Sequence, residues 1–244
     1  MSLADSPGTI ALPTSEIGRF AMFTVSLAST MQPPETKLAV MASASVVENL
    51  NQIIRQLRDD DGWVWILGDD HVWPRDTLSR MLDALDDNQD ADILVPLVVK
   101  RNPPWHLVVF KDAGQYPDGM PRWQPFDWQE IPESGQFEID AAGSAGMLIR
   151  RHVLDAIGDP WFRSTGGVIL NEDVTFCADA RKLGFRVWAT ADVTMGHLGI
   201  FNVRPLRHNG RWGALTEFSS PEEQFRHMFM PDIEDAHPAA MNGR

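Results

Sequence analysis

The stretch Trp63-Val64-Trp65-Ile66-Leu67-Gly68-Asp69-Asp70-His71-Val72-Trp73-Pro74 constrains this chain more than any other. Its first five residues are bulky and apolar. Such a run predicts a strand buried on both faces, as in a parallel sheet covered by helices. The run ends in two carboxylates and an imidazole. Pro74 follows, and Leu78, Met81, Leu82 and Leu85 then fall at helical spacing. The acidic cluster is therefore expected at the carboxyl end of a central strand, where open α/β sheets bind ligands. Hard oxygen ligands at that place suit Mg²⁺ or Mn²⁺. Two aspartates alone would more often cap the next helix or complement its N-terminal dipole. The apolar strand before them and the histidine after them shift the balance toward a metal.

Around this stretch the chain alternates strand and helix. Thr9 to Leu12 reads as a short strand stopped by Pro13, with Thr14 or Ser15 able to cap the next helix. Phe20, Phe23, Thr24, Leu27 and Met31 give an amphipathic pattern ended by Pro33-Pro34. Lys37–Met41 reads as a strand. Val46, Val47, Leu50, Ile53, Ile54 and Leu57 form a helix stripe, and Asp92–Val99 is a further strand. This β-α-β-α-β-α-β order predicts a doubly wound, mostly parallel sheet.

After Val99 the pattern changes. Asn102-Pro103-Pro104 marks a turn, and Leu107–Phe110 reads as a strand returning beside its predecessor. Residues 111–136 read as an irregular excursion with short β segments. Trp105, Trp123 and Trp128 lie in or near it, where they can stack on a sugar or base or pack the loop. Phe137–Asp140 looks extended. The small, Gly-rich run Ala141–Gly146 permits close backbone approach but lacks the Gly-Lys-Ser/Thr ending of a phosphate loop. Met147–Ile149 is a strand before a helix beginning at Val153. Asn171 is the expected N-cap of a helix over Glu172–Leu183, and Phe185–Ala189 is a strand. The segment beyond Gly199 shows no strong periodicity until Pro221.

The chain has 244 residues, enough for one large α/β domain. The expected division is a flexible lead at 1–8, a single domain at 9–218 and a C-terminal tail at 219–244. Within the domain, residues 9–100 and 101–218 form two halves. A net charge of −13 argues against nucleic-acid binding, which depends on Lys and Arg at phosphates. It also implies that a diphosphate entering an acidic cleft needs a divalent cation between them. Cys177 is the sole cysteine, so no intrachain disulfide forms. That fits a reducing, cytoplasmic setting. Neither a membrane span nor a secretory signal is expected.

Three polar features remain: Asp69-Asp70-His71, Glu172-Asp173 and Gly196-His197. Alone, each is weak, since Glu172 and Asp173 could merely complement a helix dipole. Their order and surroundings are more specific, and together they resemble the GT-A fold glycosyltransferases, similar to the inverting family-two enzymes. Ile10–Thr14 resembles that family's first strand and its Pro-Thr turn beside the nucleoside. Gly68-Asp69-Asp70-His71 resembles its Asp-x-Asp motif. Gly143–Arg151 is similar to the segment beside acceptor and donor sugar. Asn171-Glu172-Asp173 resembles the motif that opens the catalytic helix, and Gly196-His197 the late histidine of the metal shell.

The resemblance implies a Mn²⁺- or Mg²⁺-dependent transfer of a sugar from a nucleoside diphosphate to a hydroxyl acceptor. Asp70, His197 and His71 would serve the metal. Pro13, Thr14, Asn49, Asp69, Asp70, Gly143 and Gly146 would line the donor site. Asp173 would be the base, and Glu172 would orient it or contact the acceptor. In one alignment Asp70 takes the last place of the motif and Gly68 replaces its first aspartate; in the other, Asp69 and His71 take these places. The first is preferred, because Leu67 directly precedes the motif. Two rivals are a nucleotidylyltransferase and a noncatalytic nucleotide-sugar-binding module. The former expects a Gly-rich, basic loop where this chain has Pro13-Thr14-Ser15-Glu16-Ile17, and the latter draws support from Gly68.

Overall fold

The structure, a computed structural model, describes residues 2–14, 21–42, 45–101, 105–117, 119, 121–164, 172–199, 202–219 and 224–229. The chain begins with a 3₁₀ turn at Leu3–Asp5. Ser2 Oγ and the Leu3 N–H both donate to Asp86, at 2.6 and 2.7 Å, and the Trp63 indole donates to the Leu3 carbonyl at 3.0 Å. The lead read as flexible is thus docked on the domain through polar groups that composition does not reveal.

The elements run β1 (Gly8–Thr14), α1 (Ala21–Ser29), β2 (Lys37–Ala42), α2 (Val46–Ile54), β3 (Trp63–Ile66), β4 (His71–Val72), α3 (Thr77–Asp87) and β5 (Ile93–Val98). Then come β6 (Val109–Gln115), β7 (Pro121–Pro125), a 3₁₀ turn at Trp128–Glu130, β8 (Gln136–Ile139), β9 (Ala141–Ala142) and β10 (Leu148–Arg150). The last part holds α4 (Arg151–Ile157), α5 (Glu172–Lys182), β11 (Val187–Leu198), β12 (Asn202–His208), β13 (Arg211–Ser219) and β14 (Gln224–Phe229).

The main sheet has the order β14-β13-β12-β11-β5-β10-β3-β1-β2. β1 lies parallel to β2 and β3, and β11 parallel to β5. The short β10 is antiparallel to both β3 and β5 and separates them. Alternate residues of β3 enter two cores. Val64 and Ile66 join residues of α2, α4 and α5, whereas Trp63 and Trp65 join α1 and α3. All four are buried, as an apolar strand covered on both faces must be.

Local readings differ from the structure at defined places. β1 continues through Pro13 to Thr14. Its last pair with β3 is Ala11 with Ile66, so Pro13 lies where only β2 runs alongside and a missing N–H is tolerated. Leu107 makes only an isolated bridge to Val99, and β6 leaves to form a separate sheet in the order β7-β6-β9. Trp105, Trp123 and Trp128 are partly buried and pack against the core. β11 spans Val187–Leu198, shifts register against β5 between Thr190 and Thr194, and carries the late histidine near its end. Beyond it, β12 and β13 form a hairpin through Asn209-Gly210, both with positive φ, of 49° and 77°. That is the two-residue Asn-Gly turn that matches strand twist. β14 pairs with β13, so the sheet extends past residue 218 into the segment read as a tail. Ser15, the turn at 102–104 and the cap at Asn171 lie outside the described residues.

Candidate active site

β3 ends at Ile66, and β4 begins at His71 after a turn at Asp69-Asp70. The two-residue β4 pairs antiparallel with the end of β11, with His71 directly opposite His197. The pairing brings the two imidazoles to a centroid separation of 4.2 Å, stacked at 27°. The Leu198 N–H donates to the Asp70 carbonyl at 2.6 Å and fixes the turn. Sequence order kept these histidines apart, and a two-residue strand brings them together.

Asp70, His71 and His197 each offer a ligand atom, and these atoms lie within 4.8 Å of one another. Asp70 Oδ1 is 2.8 Å from His71 Nδ1, and Oδ2 is 3.1 Å from His197 Nε2. His197 Nδ1 lies 3.1 Å from the Val99 carbonyl. A carbonyl only accepts, so Nδ1 carries the hydrogen, and in the neutral ring Nε2 turns a lone pair toward a carboxylate. A proton or a cation belongs between them. His71 is buried and its Nε2 has no hydrogen-bond partner among the described residues. Two imidazoles and a carboxylate in this arrangement fit a divalent cation.

The electrostatics agree. Burial would raise the Asp70 carboxyl, but the hydrogen bonds from His197 and His71 outweigh it and hold the group well below the usual carboxylate range. Burial pushes the His71 imidazole down, keeping it neutral and able to ligate.

Gly68 is explained by its neighbour. A Cβ there would stand 2.7 Å from His71 Nδ1 and 3.1 Å from Asp70 Oδ1. The glycine makes room for the imidazole, so an aspartate at 68 and this placement of His71 exclude each other. Asp69 turns away from the cluster and accepts from Thr14 Oγ1 at 2.5 Å. Asn49, in α2, donates from Nδ2 to the Thr14 carbonyl at 3.1 Å, leaving its buried Oδ1 without a partner among the described residues. Thr14, Asn49 and Asp69 thus form a second polar group at the ends of β1 and β3, beside Pro13.

The segment Gly143–Met147 links this edge to α5. The Gly146 N–H donates to the Ile66 carbonyl at 2.9 Å, and the Trp65 indole donates to the Gly146 carbonyl at 3.0 Å. Gly146 has φ +75°, and a Cβ on it would lie 2.5 Å from Met195 Sδ and 2.6 Å from Pro96 Cγ. Packing alone therefore requires this glycine. Two residues earlier, the Ser144 N–H donates to Asp173 Oδ2 at 3.2 Å. The Val174 N–H donates to Oδ1 at 2.8 Å. Gly143 lies against the same carboxyl, where a Cβ would stand 3.6 Å from Oδ2. Burial pushes the Asp173 carboxyl up to about 6, and the adjacent Glu172 charge adds to the shift.

Two contributors escaped the sequence reading. Ser144 supplies only a backbone N–H, which no side-chain pattern reveals. Arg101, whose Nη1 donates to Asp70 Oδ2 at 2.9 Å, stands just past β5. Its position at the carboxyl end of a central strand was the available signal.

The model of a family described as glycosyltransferase-like family 2 matches residues 24–216. Among solved structures, the chain is similar to the crystal structure of A197 from STIV. The identity is 14% and the TM-score 0.55, over 92% of this chain and 94% of that one. It is also similar to the crystal structure of GalNAc-T7 with UDP, GalNAc and Mn²⁺. There the identity is 10% and the TM-score 0.57, over 84% of this chain and 44% of that one. At these identities the likeness is one of fold, the GT-A type. No curated protein matches the sequence. Among the described residues, no helix is long and apolar enough to cross a membrane.

Proposed function

The chain belongs to glycosyltransferase-like family 2, and from that premise we propose that it moves a sugar from a nucleoside-diphosphate sugar to a hydroxyl acceptor. Thr14, Asn49 and Asp69 hold the nucleoside end of the donor, and Asn49 Oδ1, without a partner among the described residues, offers an acceptor to a base or ribose donor group. Asp70, His71 and His197 would hold a divalent cation, Mn²⁺ or Mg²⁺. When bound, it supplies charge neutralisation for the departing diphosphate. GalNAc-T7, similar in fold, was crystallised with UDP, GalNAc and Mn²⁺, a ligand set of the same chemical kind.

Asp173 takes the proton from the acceptor hydroxyl. The hydroxyl oxygen forms its bond to the anomeric carbon as the bond to the diphosphate oxygen breaks, and the diphosphate leaves with the electron pair. A carboxyl held at about 6 is ionised at neutral pH yet basic enough to accept a proton. The Ser144 and Val174 N–H groups fix its orientation. Glu172 raises its basicity and stands beside the acceptor. Single displacement with such a base inverts the anomeric carbon.

The observation that carries this proposal is the His71–His197 pairing across β4 and β11, which gathers two imidazoles on Asp70 at the sheet edge joined through Gly143–Met147 to Asp173. The test is incubation with Mn²⁺, a panel of nucleotide sugars and simple acceptors. Transfer or donor hydrolysis is the expected result. Pyrophosphate release from a nucleoside triphosphate would point instead to a nucleotidylyltransferase, and binding without turnover to a noncatalytic module.

A further inference from the structure

Arg101 sits on Asp70 in a way that the bound state of the site cannot keep. Oδ2 of Asp70 faces both His197 Nε2, at 3.1 Å, and Arg101 Nη1, at 2.9 Å. An imidazole on this carboxylate can stay when a divalent cation arrives, because its ring nitrogen offers a lone pair. A guanidinium has five donors, no acceptor and a permanent charge. Placed on the same oxygen, it and a divalent cation repel each other at close range.

The backbone leading into Arg101 is held. The Lys100 N–H donates to the His106 carbonyl at 2.9 Å, and the Val99 carbonyl faces His197 Nδ1. The Arg101 side chain is 45% exposed, against 23% for Asp70, so solvent is open to it as an alternative to the carboxylate. The chain carries a net charge of −13, and a cation at this edge is the kind of group an arriving diphosphate needs.

We propose that Arg101 is an exchangeable counter-ion. It neutralises Asp70 while no metal is bound, leaves when a divalent cation takes the carboxylate, and then binds the diphosphate of the donor. This rests on the donor and cation assignment made above. Arg101 therefore weakens the binding of metal alone and strengthens the binding of nucleotide to the metal-loaded protein. The two effects have opposite signs at one residue, which links the two ligands positively.

Calorimetric titration of the full chain tests this, first with MnCl₂ alone and then with UDP, and in parallel GDP, at saturating Mn²⁺. Arg101→Gln should bind Mn²⁺ about threefold more tightly, the scale of a partly exposed ion pair. It should bind the preferred nucleotide about tenfold more weakly, the scale of a charge-assisted hydrogen bond to phosphate. Arg101→Lys, which keeps the charge but loses the fork, should fall between wild type and Gln on both readouts. If Mn²⁺ binds wild type and Arg101→Gln equally, or the nucleotide affinity is unchanged, the exchange is refuted while the metal site stands. If neither protein binds Mn²⁺, the metal assignment falls and takes the exchange with it.

Discussion

Asp70 and Asp173 are both half-buried carboxylates near one edge of one sheet, yet their surroundings push them in opposite directions. Asp70 is ringed by two imidazoles and a guanidinium and stays an anion down to strongly acidic pH. Asp173 has only backbone N–H groups and a neighbouring carboxylate, and it holds its proton up to about 6. The difference separates two jobs. A carboxyl held well below the usual range suits the holding of a cation, and one that titrates near neutrality suits the movement of a proton.

The strongest way to break this contrast is to remove the fixed anion. Asp70→Ala should weaken Mn²⁺-dependent binding of UDP or GDP by roughly a hundredfold or more, since truncating one side of a desolvated charge pair costs about 2–5 kcal/mol. Unchanged nucleotide affinity with Mn²⁺ would refute the role given to Asp70.

Asp173→Asn should do the reverse: keep donor binding and lower transfer by roughly 10²–10⁴-fold, the range of general-base catalysis. In the wild type, kcat/KM should rise with pH along a limb centred near 6, and the variant should lack that limb. Stability gives a second readout. Folding raises the Asp173 pKa from 3.8 to about 6, so between these values the folded state binds more protons than the unfolded one. The folded state therefore loses stability as pH rises through that window, and the loss persists above it. Relative to wild type, Asp173→Asn should therefore be more stable at pH 8 than near pH 4, by up to about 3 kcal/mol between the two conditions, read from the Tm difference at each. A Tm difference that stays the same between pH 4 and pH 8 would sink the claim of a destabilised carboxylate.

The smallest effect sharpens the contrast within the metal group. His197→Ala should weaken Mn²⁺ binding by roughly tenfold, less than Asp70→Ala, because a neutral imidazole contributes a dipole where Asp70 contributes a full charge. An equal or larger loss, measured by the same titration, would reverse that ranking.

The legible parts of the chain were those in which one segment declares its own state. Trp63–Ile66, the Leu78–Leu85 stripe and the Val46–Leu57 stripe that holds α2 all follow from apolar patterning. The GT-A fold was legible from motif order and is matched by the family model and the solved neighbours. What sequence withheld was pairing at a distance. β4 has only two residues and no period of its own, so nothing local predicted that His71 would face His197. The Gly68 substitution read as a defect, because its cause, the His71 ring, became visible only in three dimensions. The β12–β13 hairpin is a different kind of miss, since Asn209-Gly210 was a local turn signal in plain view.

The antiparallel strand β10 has a consequence for how this molecule can be taken apart. β3 and β5 belong to the first hundred residues, yet β10, from residues 148–150, fills the gap between them. A fragment ending near residue 100 would lack that strand and expose the facing flanks of β3 and β5, with bare ladder groups beside buried aromatics. The early βαβ series is therefore unfinished architecture during synthesis, and it closes only after the chain has travelled out through the small sheet and come back.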